Sequence, residues 1–459
     1  MLNRRDLLAS GLAAGAASLG GVRAADVSAL ADPARGEDDY RALVCVFLSG
    51  GMDGHDTLIP MDAGPHREWR RARAALTTAY DASGAPRRVD ALHAVGTDAD
   101  GAAYGLPPQM GRTASAVRAG RAAIVANMGP LQAPVTPREL ASRSVPLPPG
   151  LLSHSDQRAY WRRLAPQDGS NTGWGGRLAA RMGQGGPLDA IAGGRDEGFT
   201  MGEDGPGAIL GALVPNRGFG LRPKLYGQEE LAAEFLDHLG TVPPGGGILE
   251  RDFARAQRGA ADLTLTLIDM MSSTEAGFEI ADGAKRDSLA FGLGIIARMI
   301  DLRERTGVRR QVFYVEQGGY DTHKDQAARL PALQAELDEG LARFAAWLGG
   351  AGLSDAVTVF TGSDFGRTLV PNGRGTDHGW ANHQIVMGGA VRGGLHGAVP
   401  PPVTGHDLDG GRGRTIPTLS VEQTGVPMAR WLGLRDADLP AVFPFAGRFD
   451  LDAVPLMRA

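Results

Sequence analysis

Short apolar segments alternate with longer amphipathic segments along most of this 459-residue sequence, and this alternation most strongly restricts the possible folds. Short apolar runs bounded by turn residues are typical of buried strands, and the 3.6-residue periodicity between them is typical of helices. The pattern predicts an α/β fold with a mainly parallel sheet flanked by helices. The predicted core strands are residues 42–48, 122–127, 311–316, 356–361 and 384–387.

The predicted helices span residues 66–79, 109–118, 151–164, 251–271, 286–305, 325–348 and 421–434. Two stretches rich in turn residues, at about 133–150 and 193–247, are predicted to be insertions. Residues 25–459 are therefore expected to form a single domain.

The first 24 residues are typical of a twin-arginine signal peptide. Arg4 and Arg5 precede a small, apolar stretch at residues 7–19, and Ala24 ends a cleavage signature. The alternative is an ordinary basic, alanine-rich helix. We expect export by the twin-arginine pathway to the periplasm or outside the cell, and the export machinery as a partner. The stretch is too short for a permanent membrane span, and no later segment is long enough.

Composition narrows the functional classes further. A net charge of −5 argues against nucleic acid as the main partner. Cys45 is the sole cysteine, which excludes an intramolecular disulfide. A hydrophobic content of 43% is that of a globular protein.

Acidic residues and histidines follow the predicted strands, where ligands bind in open parallel sheets. Asp53 follows the first strand in a glycine-rich turn, either as a metal ligand or as an aspartate that bonds turn amides. Asp321 and His323 follow a Gly-Gly pair; residues two apart in an extended segment face the same side, so both can reach one metal ion. The adjacent Lys324 is a candidate cation for an anionic substrate.

A second group of candidates lies between residues 362 and 383. Asp364 follows a strand, and Arg367 is a second candidate cation, as is Arg177 elsewhere in the chain. Asp377, His378 and His383 come next. Neighbouring residues of an extended chain face opposite sides, so one of Asp377 and His378 is expected to bind metal while the other supports it.

Ser153 and His154 stand at the start of a predicted helix and are candidate catalytic residues. Ser153 and Asp156 together approximate a capping box, so Ser153 can be explained as a helix cap without a role in catalysis. A serine at a helix N-terminus is also suited to attack an anionic ester, because backbone amides there can hold the anion. Both explanations stay open.

Several strings together resemble one family, the unknown-function family numbered 1501. They are LSGGMDGHDTLIP, SHSDQRAYW, GGYDTHKDQ, SDFGRT, GTDHGW and VMGGAVRGGLHG, and they occur in the order expected of that family across nearly all of the mature chain. The family looks like a branch of the alkaline phosphatase and sulfatase superfamily. This resemblance implies hydrolysis of phosphate or sulfate esters with one or two metal ions and a Ser, Thr or modified Cys nucleophile.

The resemblance also implies roles for individual residues. Asp53 corresponds to the early metal aspartate, and Asp321 and His323 to the Asp and His of one metal site, although their spacing here is two residues instead of four. Asp364 resembles the acid at the superfamily's strand end.

The position after that acid departs from the superfamily pattern, because Phe365 cannot bind metal. His378 or His383 fills the late histidine position. Loss of one imidazole favours a single ion, or a harder one such as Mn²⁺, Mg²⁺ or Ca²⁺, with Zn²⁺ still possible.

Two functions follow from these features. The first is a metal-dependent hydrolase acting on an anionic small-molecule or glycan ester of phosphate or sulfate. The second is a relative that has lost catalysis and binds an anionic ligand as an accessory protein.

Overall fold

The computed structural model describes most of the chain outside its first 38 residues and a broken central stretch. The described residues are 39–164, 170–183, 186–194, 196, 198–203, 205–206, 208–209, 234, 238, 241–242, 245–255, 258, 270–271, 277–278 and 288–458. The chain divides into two compact units. The first comprises Met1–Arg41 and Gly175–Tyr314, and the second comprises Ala42–Trp174 and Val315–Ala459. The predicted leader lies outside the described residues.

Sixteen strands are described in chain order. They are β1 (Arg41–Leu48), β2 (Ile59–Pro60), β3 (His93–Thr97), β4 (Ala103–Leu106), β5 (Ala122–Gly129), β6 (Ala190–Ala192), β7 (Met201–Gly202), β8 (Gly205–Pro206), β9 (Ala208–Ile209), β10 (Arg310–Gln317), β11 (Val357–Ser363), β12 (Arg367–Pro371), β13 (Thr376–His378), β14 (Asn382–Met387), β15 (Gly394–His396) and β16 (Leu419–Ser420). All five predicted core strands are present, as β1, β5, β10, β11 and β14.

The described α-helices follow the same numbering. They are α1 (Ala63–Ala72), α2 (Ala74–Ala82), α3 (Gly111–Arg118), α4 (Pro137–Ser142), α5 (His154–Arg163), α6 (Trp174–Met182), α7 (Leu289–Asp301), α8 (Arg303–Thr306), α9 (Gln326–Gly350), α10 (Val421–Leu432) and α11 (Leu439–Val442). The helix predicted over 251–271 falls mostly outside the described residues. Within the described part of the chain, none of the helices is both long and apolar enough to cross a membrane.

The second unit contains a mixed, mostly parallel sheet in the order β15-β5-β14-β11-β1, with β16 also paired to β5. Strand β1 runs parallel to β11 from Ala42 opposite Val357 to Leu48 opposite Ser363. Strands β1, β5 and β11 are almost wholly buried, as expected of strands covered on both faces. Helix α3 packs against β5, and α9 packs against α2 and α3. The α/β prediction is confirmed at this level.

Strand β14 departs from the parallel arrangement, because it runs antiparallel to both β11 and β5. No helical crossover separates β11 from β14; the hairpin of β12 and β13 connects them instead. An antiparallel strand begins at the edge where its parallel neighbours end. The start of β14 therefore lies level with the ends of β1 and β11, and Asn382 there donates to the carbonyls of Met52 and Phe365.

In the first unit, β6 pairs in parallel with the first part of β10 and with β9. Residues of β10 up to Tyr314 belong to this unit, and its last residues belong to the second. Helix α7 is buried along most of its length and is preceded by Ser288, whose side chain accepts from the Phe291 amide. This is an N-terminal cap of the common serine type.

The predicted helix over 66–79 is two helices, because the chain breaks at Arg73. Arg73 ends α1 with non-helical backbone angles of φ −111° and ψ 26°. Its side chain is completely buried and pairs with Asp53 and Asp56. A buried guanidinium must be paired, so the break follows from burial of this charge. Periodicity of apolar residues does not reveal such a break.

Candidate metal centre

One histidine from a helix, one from a strand and an aspartate from a loop converge in the second unit. His154 is the first residue of α5, Asp321 lies in the loop after β10, and His378 ends β13. One potential ligand atom from each lies within 4.8 Å of the others. His323, two residues after Asp321, reaches the same place: its Nε2 lies 2.8 Å from Nε2 of His378. These four residues are the histidine cluster discussed below.

The cluster is centred on one carboxylate oxygen. Oδ1 of Asp321 lies 3.1 Å from Nε2 of His323, 3.4 Å from Nε2 of His154 and 3.5 Å from Nε2 of His378. All three imidazoles thus present the same ring nitrogen to one small volume. Such distances suit atoms that share a cation, since metal–ligand bonds of about 2.0–2.6 Å separate ligand atoms by roughly 3–4 Å.

The opposite nitrogens of the imidazoles point outward to acceptors. Nδ1 of His154 donates to Oδ2 of Asp364 at 2.8 Å, and Nδ1 of His378 donates to the carbonyl of Leu152 at 2.7 Å. For His323, Nδ1 lies 3.6 Å from Oδ1 of Asp377. A hydrogen on Nδ1 leaves a lone pair on Nε2 when the ring is neutral, which is the arrangement found in metal-binding histidines.

Charges of the two aspartates suit this arrangement. Burial alone would raise the pKa of Asp321, but its hydrogen bond and charge interaction with Arg367 outweigh burial and lower it. Burial likewise opposes ionisation of Asp364, and the hydrogen bond from His154 and the charge of Arg158 outweigh it, so its pKa is also lowered. Burial lowers the pKa of His378, although the hydrogen bond to the Leu152 carbonyl acts in the opposite direction. Two carboxylates and a neutral imidazole are metal-binding forms.

Asp364 is placed behind His154 and not beside Asp321. Its Oδ1 accepts from the Gly50 amide at 3.2 Å, and its Oδ2 accepts from His154 and from Arg158 at 3.1 Å. The carboxylate is completely buried. Asp364 therefore orients His154, whereas Asp321 faces the cluster directly.

Asp53, predicted to bind metal, lies in a different set of contacts. Its Oδ2 forms a 2.5 Å ion pair with Arg73 and accepts from Gln326 at 2.7 Å, and its Oδ1 accepts from the Asp56 amide at 3.1 Å. A guanidinium therefore occupies the space in front of this carboxylate. The hydrogen bond from the Asp56 amide agrees with the alternative given above, in which Asp53 is an aspartate that bonds turn amides.

Two further predicted ligands also have other partners. Nδ1 of His383 accepts from the Asn127 amide at 3.1 Å, and burial lowers the pKa of His383 to about 3. Asp377 accepts from Asn372 at 2.8 Å and pairs with Arg412 at 3.0 Å. The bond from Asn372 is the main cause of the lowered pKa of Asp377, and Arg412 adds to it. Asp377 contacts Arg412 and Asn372, whereas His378 belongs to the cluster.

The candidate cations differ in exposure. Arg367 is buried, and its guanidinium donates to the carbonyls of Gly51, Gly50, Tyr320 and Thr376 as well as to Asp321 Oδ1 at 2.6 Å. Those bonds use its donors to hold loops around the cluster. Lys324 is exposed. Arg177 lies in the first unit.

Ser153 occupies the N-cap position of α5 without forming the predicted capping bond. Its hydroxyl contacts the hydroxyl of Ser155 at 3.0 Å, and no side-chain cap bond is made to the following amides. The capping-box explanation is therefore wrong for this serine. Both neighbours of Ser153 contact the cluster: His154 belongs to it, and the carbonyl of Leu152 binds His378.

Phe365 closes one side of the cluster. Its ring centroid lies 4.7 Å from that of His154 and 4.6 Å from that of His378, and only 1% of the residue is exposed. An aromatic face at this distance restricts both imidazoles and keeps water from that side. Phe365 is thus a wall of the cluster.

Sequence reasoning missed several residues that hold the cluster in place. Arg158 stands four residues after His154, a spacing that places both on one helix face. Asp56, Arg73 and Gln326 form the buried contacts of Asp53. The repeated acid in Asp53-Gly-His-Asp56 was an available signal, whereas nothing local indicated that Arg73 and Gln326 face inward.

Comparison with protein families gives one match. Residues 249–407 match the family described as Protein of unknown function (DUF1501), which supports the resemblance stated from the sequence strings. The matched segment contains Asp321, His323, Asp364 and His378. A comparison with curated proteins found no similar sequence.

Proposed function

We propose that this protein is a metal-dependent hydrolase of phosphate or sulfate esters. The observation that carries the proposal is the convergence of three imidazole Nε2 atoms on Oδ1 of Asp321, while the outward Nδ1 atoms of His154 and His378 are fixed by acceptors. Histidines arranged in this way are suited to hold a divalent ion. We further propose that the fold is alkaline phosphatase-like, as the sequence strings suggest.

The donor atoms bear on which metal fits. Three imidazoles and one carboxylate are nitrogen-rich, whereas Mg²⁺ and Ca²⁺ prefer oxygen ligands. We therefore place Zn²⁺ first, Mn²⁺ second and Mg²⁺ and Ca²⁺ last, and one ion ahead of two. A bound divalent ion supplies Lewis acidity toward the oxygens of an ester.

The chain itself contributes the remaining parts of a hydrolase. Ser153 stands between two residues that touch the cluster, at the N-terminus of the ten-residue helix α5. Backbone amides there favour an anionic group, which suits a phosphate or sulfate ester. We propose Ser153 as the nucleophile, with Asp364 holding His154 in one orientation.

Export belongs to the same proposal. A folded protein that carries its metal fits the twin-arginine route, and Arg4 and Arg5 are the residues that would be recognised. Replacement of both by Lys is expected to leave uncleaved protein in the cytoplasm, as seen by fractionation and mass spectrometry. Normal accumulation of cleaved protein outside the cytoplasm would contradict the twin-arginine assignment.

A binding protein without turnover is the second candidate. The observation that favours it is Phe365, which lies against His154 and His378 and stands at the sequence position where the resemblance implies a His or Asn. Such a protein would retain metal and bind phosphate or sulfate without cleaving their esters.

Metal content and activity together test the proposal. Purified mature protein is expected to contain about one equivalent of a divalent ion by elemental analysis, and His378→Ala is expected to lose it. His396→Ala is the matched control, because the His396 imidazole lies outside the cluster and bonds to the carbonyl of Arg392. Wild-type protein without metal after reconstitution with Zn²⁺ and Mn²⁺ would refute the site.

A screen with aryl phosphates, phosphodiesters and aryl sulfates then separates the two candidates. Hydrolysis that is lost in His378→Ala and kept in His396→Ala supports the enzyme. Metal binding without hydrolysis of any ester class supports the binding protein.

A further inference from the structure

A buried glutamine connects the two segments that carry most of the cluster. Gln326 is the first residue of α9 and has no exposed surface. We infer that Gln326 is a positioning residue, which sets the placement of Asp321 and His323 relative to His378. This inference rests on the proposed metal site and identifies one buried contact that keeps that site assembled.

The orientation of the amide is fixed by its partners. Nε2 of Gln326 donates to Oδ2 of Asp53 at 2.7 Å and to Oδ2 of Asp56 at 2.8 Å. Ionised carboxylates only accept hydrogen bonds, so the nitrogen must face them. The oxygen of the amide is thereby turned to the opposite side.

Two threonines share that oxygen. Oε1 of Gln326 accepts from Oγ1 of Thr376 at 2.7 Å and from Oγ1 of Thr322 at 3.1 Å. Thr322 stands between Asp321 and His323, and Thr376 stands two residues before His378 in β13. Both threonines are completely buried. One acceptor atom therefore links both segments that bring these residues to the cluster.

The same two segments are in direct contact. The amide of Thr376 donates to the carbonyl of Thr322 at 3.2 Å. A Cβ atom on Gly375 would lie only 2.1 Å from that carbonyl oxygen, so only glycine fits the approach. Close backbone packing fixes the spacing at one point, and Arg367 bridges Asp321 and the Thr376 carbonyl at another. The shared amide oxygen adds an attachment between the side chains of Thr322 and Thr376, which opposes rotation of one segment against the other.

The other end of the amide is held by buried charges. Arg73 pairs with Asp53 and Asp56, and Tyr80 donates to Oδ2 of Asp56 at 2.7 Å. All four side chains are completely buried. Because each polar group in this network has partners, the amide cannot turn without leaving a buried carboxylate with fewer donors.

Gln334 offers a matched control on the same helix. It is also completely buried and fully bonded: its Nε2 donates to the Asp56 carbonyl and to Thr57, and its Oε1 accepts from Arg87. None of those partners lies in the two segments that carry the cluster. Loss of Gln334 should therefore destabilise the protein without moving Asp321, His323 or His378.

The test compares Gln326→Met with Gln334→Met in the full chain. Metal affinity is measured with Zn²⁺ by competition with a chromophoric chelator. Gln326→Met is expected to raise the Kd for Zn²⁺ by about tenfold, the lower end of what loss of a direct contact to a metal ligand costs, because Gln326 acts on the cluster through Thr322 and Thr376. Gln334→Met is expected to change it by no more than about twofold, although both variants unfold at lower temperature.

A second readout needs no metal. In protein with ¹³C-labelled histidines, a nuclear Overhauser contact is expected between the rings of His323 and His378, whose centroids are 4.7 Å apart. The contact should persist in Gln334→Met and disappear in Gln326→Met. Equal behaviour of the two variants in both measurements would refute the positioning role. Wild type that binds neither Zn²⁺ nor Mn²⁺ refutes the proposed function, and the ring contact still decides the role of Gln326.

Threonine variants provide the answer if Gln326→Met does not fold. Thr376→Val removes one of the two hydroxyl bonds to the amide oxygen at nearly constant volume, whereas Thr376→Ser keeps it. A weaker ring contact in Thr376→Val that is restored in Thr376→Ser supports the inference. Identical ring contacts in both variants overturn it.

Discussion

Replacement of Arg73 by Met should be among the most destabilising single changes in the second unit. The side chain has no exposed surface and pairs with Asp53 at 2.5 Å and with Asp56 at 2.8 Å. Two further bonds run from Nη1 to the carbonyls of Thr368 and Leu369, at 3.1 and 3.0 Å. These carboxylates outweigh burial and raise the pKa of Arg73 above its ordinary value.

The size of the effect follows from what the substitution leaves behind. Met fills most of the volume, so little cavity energy is added. Two buried carboxylates lose the cation that pairs with both of them, and removing one partner of a buried ion pair costs about 3–5 kcal/mol. We expect the free energy of unfolding to fall by at least that amount.

Arg70→Met is the matched control from the preceding helical turn. Arg70 pairs with Asp81 at 3.1 Å, but about a third of each side chain is exposed (32% and 34%). Such partly exposed pairs contribute about 0–1 kcal/mol. Urea denaturation followed by tryptophan fluorescence measures both variants. A loss below about 1 kcal/mol in Arg73→Met, similar to that in Arg70→Met, would refute the ion-pair reasoning.

Three further predictions concern a buried glutamate, the aspartate behind the cluster and the serine beside it. Burial raises the pKa of Glu422 from 4.5 to about 7, so the folded protein loses stability as pH rises above 4.5 and the carboxyl ionises. In urea denaturation, Glu422→Gln should be more stable than wild type by on the order of 3 kcal/mol at pH 8 and should show no advantage at pH 4. Because the pKa of Asp364 is lowered, the ionised carboxylate should stabilise metal-free protein fully above its ordinary pKa of 3.8, and this stabilisation should disappear as pH falls below that value. The thermal unfolding curves of wild type and Asp364→Asn should therefore converge in acid. Ser153→Ala should abolish ester hydrolysis, retain metal and change stability by less than about 0.5 kcal/mol, because no capping bond is lost. An active Ser153→Ala enzyme would leave direct attack by water as the mechanism.

Much of the fold could be predicted because it depends on local patterns. The apolar runs at β1, β5, β10 and β11 have the length and burial of central strands, and their bounds agree within about two residues. The direction of β14 could not be predicted, because a short apolar run has the same composition in either direction. The break at Arg73 depends on carboxylates seventeen and twenty residues earlier in the chain.

The residues of the candidate site likewise include some that could be predicted from the sequence and some that could not. Asp321, His323 and His378 were accessible to sequence reasoning because they follow glycines near strand ends, where polar residues have few structural purposes. The place of Asp53 was not accessible, because a carboxylate after a strand binds a metal ion or a guanidinium equally well. Asp53 pairs with a guanidinium because Arg73, at the end of α1, lies next to it. Gln326 gives no local signal, since a glutamine at a helix start is usually exposed.

The antiparallel direction of β14 has a consequence for how such a site can change during evolution. Asp364, Arg367, His378 and His383 all come from one continuous stretch of twenty residues, because the chain leaves the edge at β11 and returns to it at β14. Insertion or deletion of a single residue in the turn between β12 and β13 would exchange the faces of the following strand residues. His378 and Asp377 would then trade places. A lineage could thus gain or lose an imidazole at this edge through one short length change, without altering the buried strands on either side.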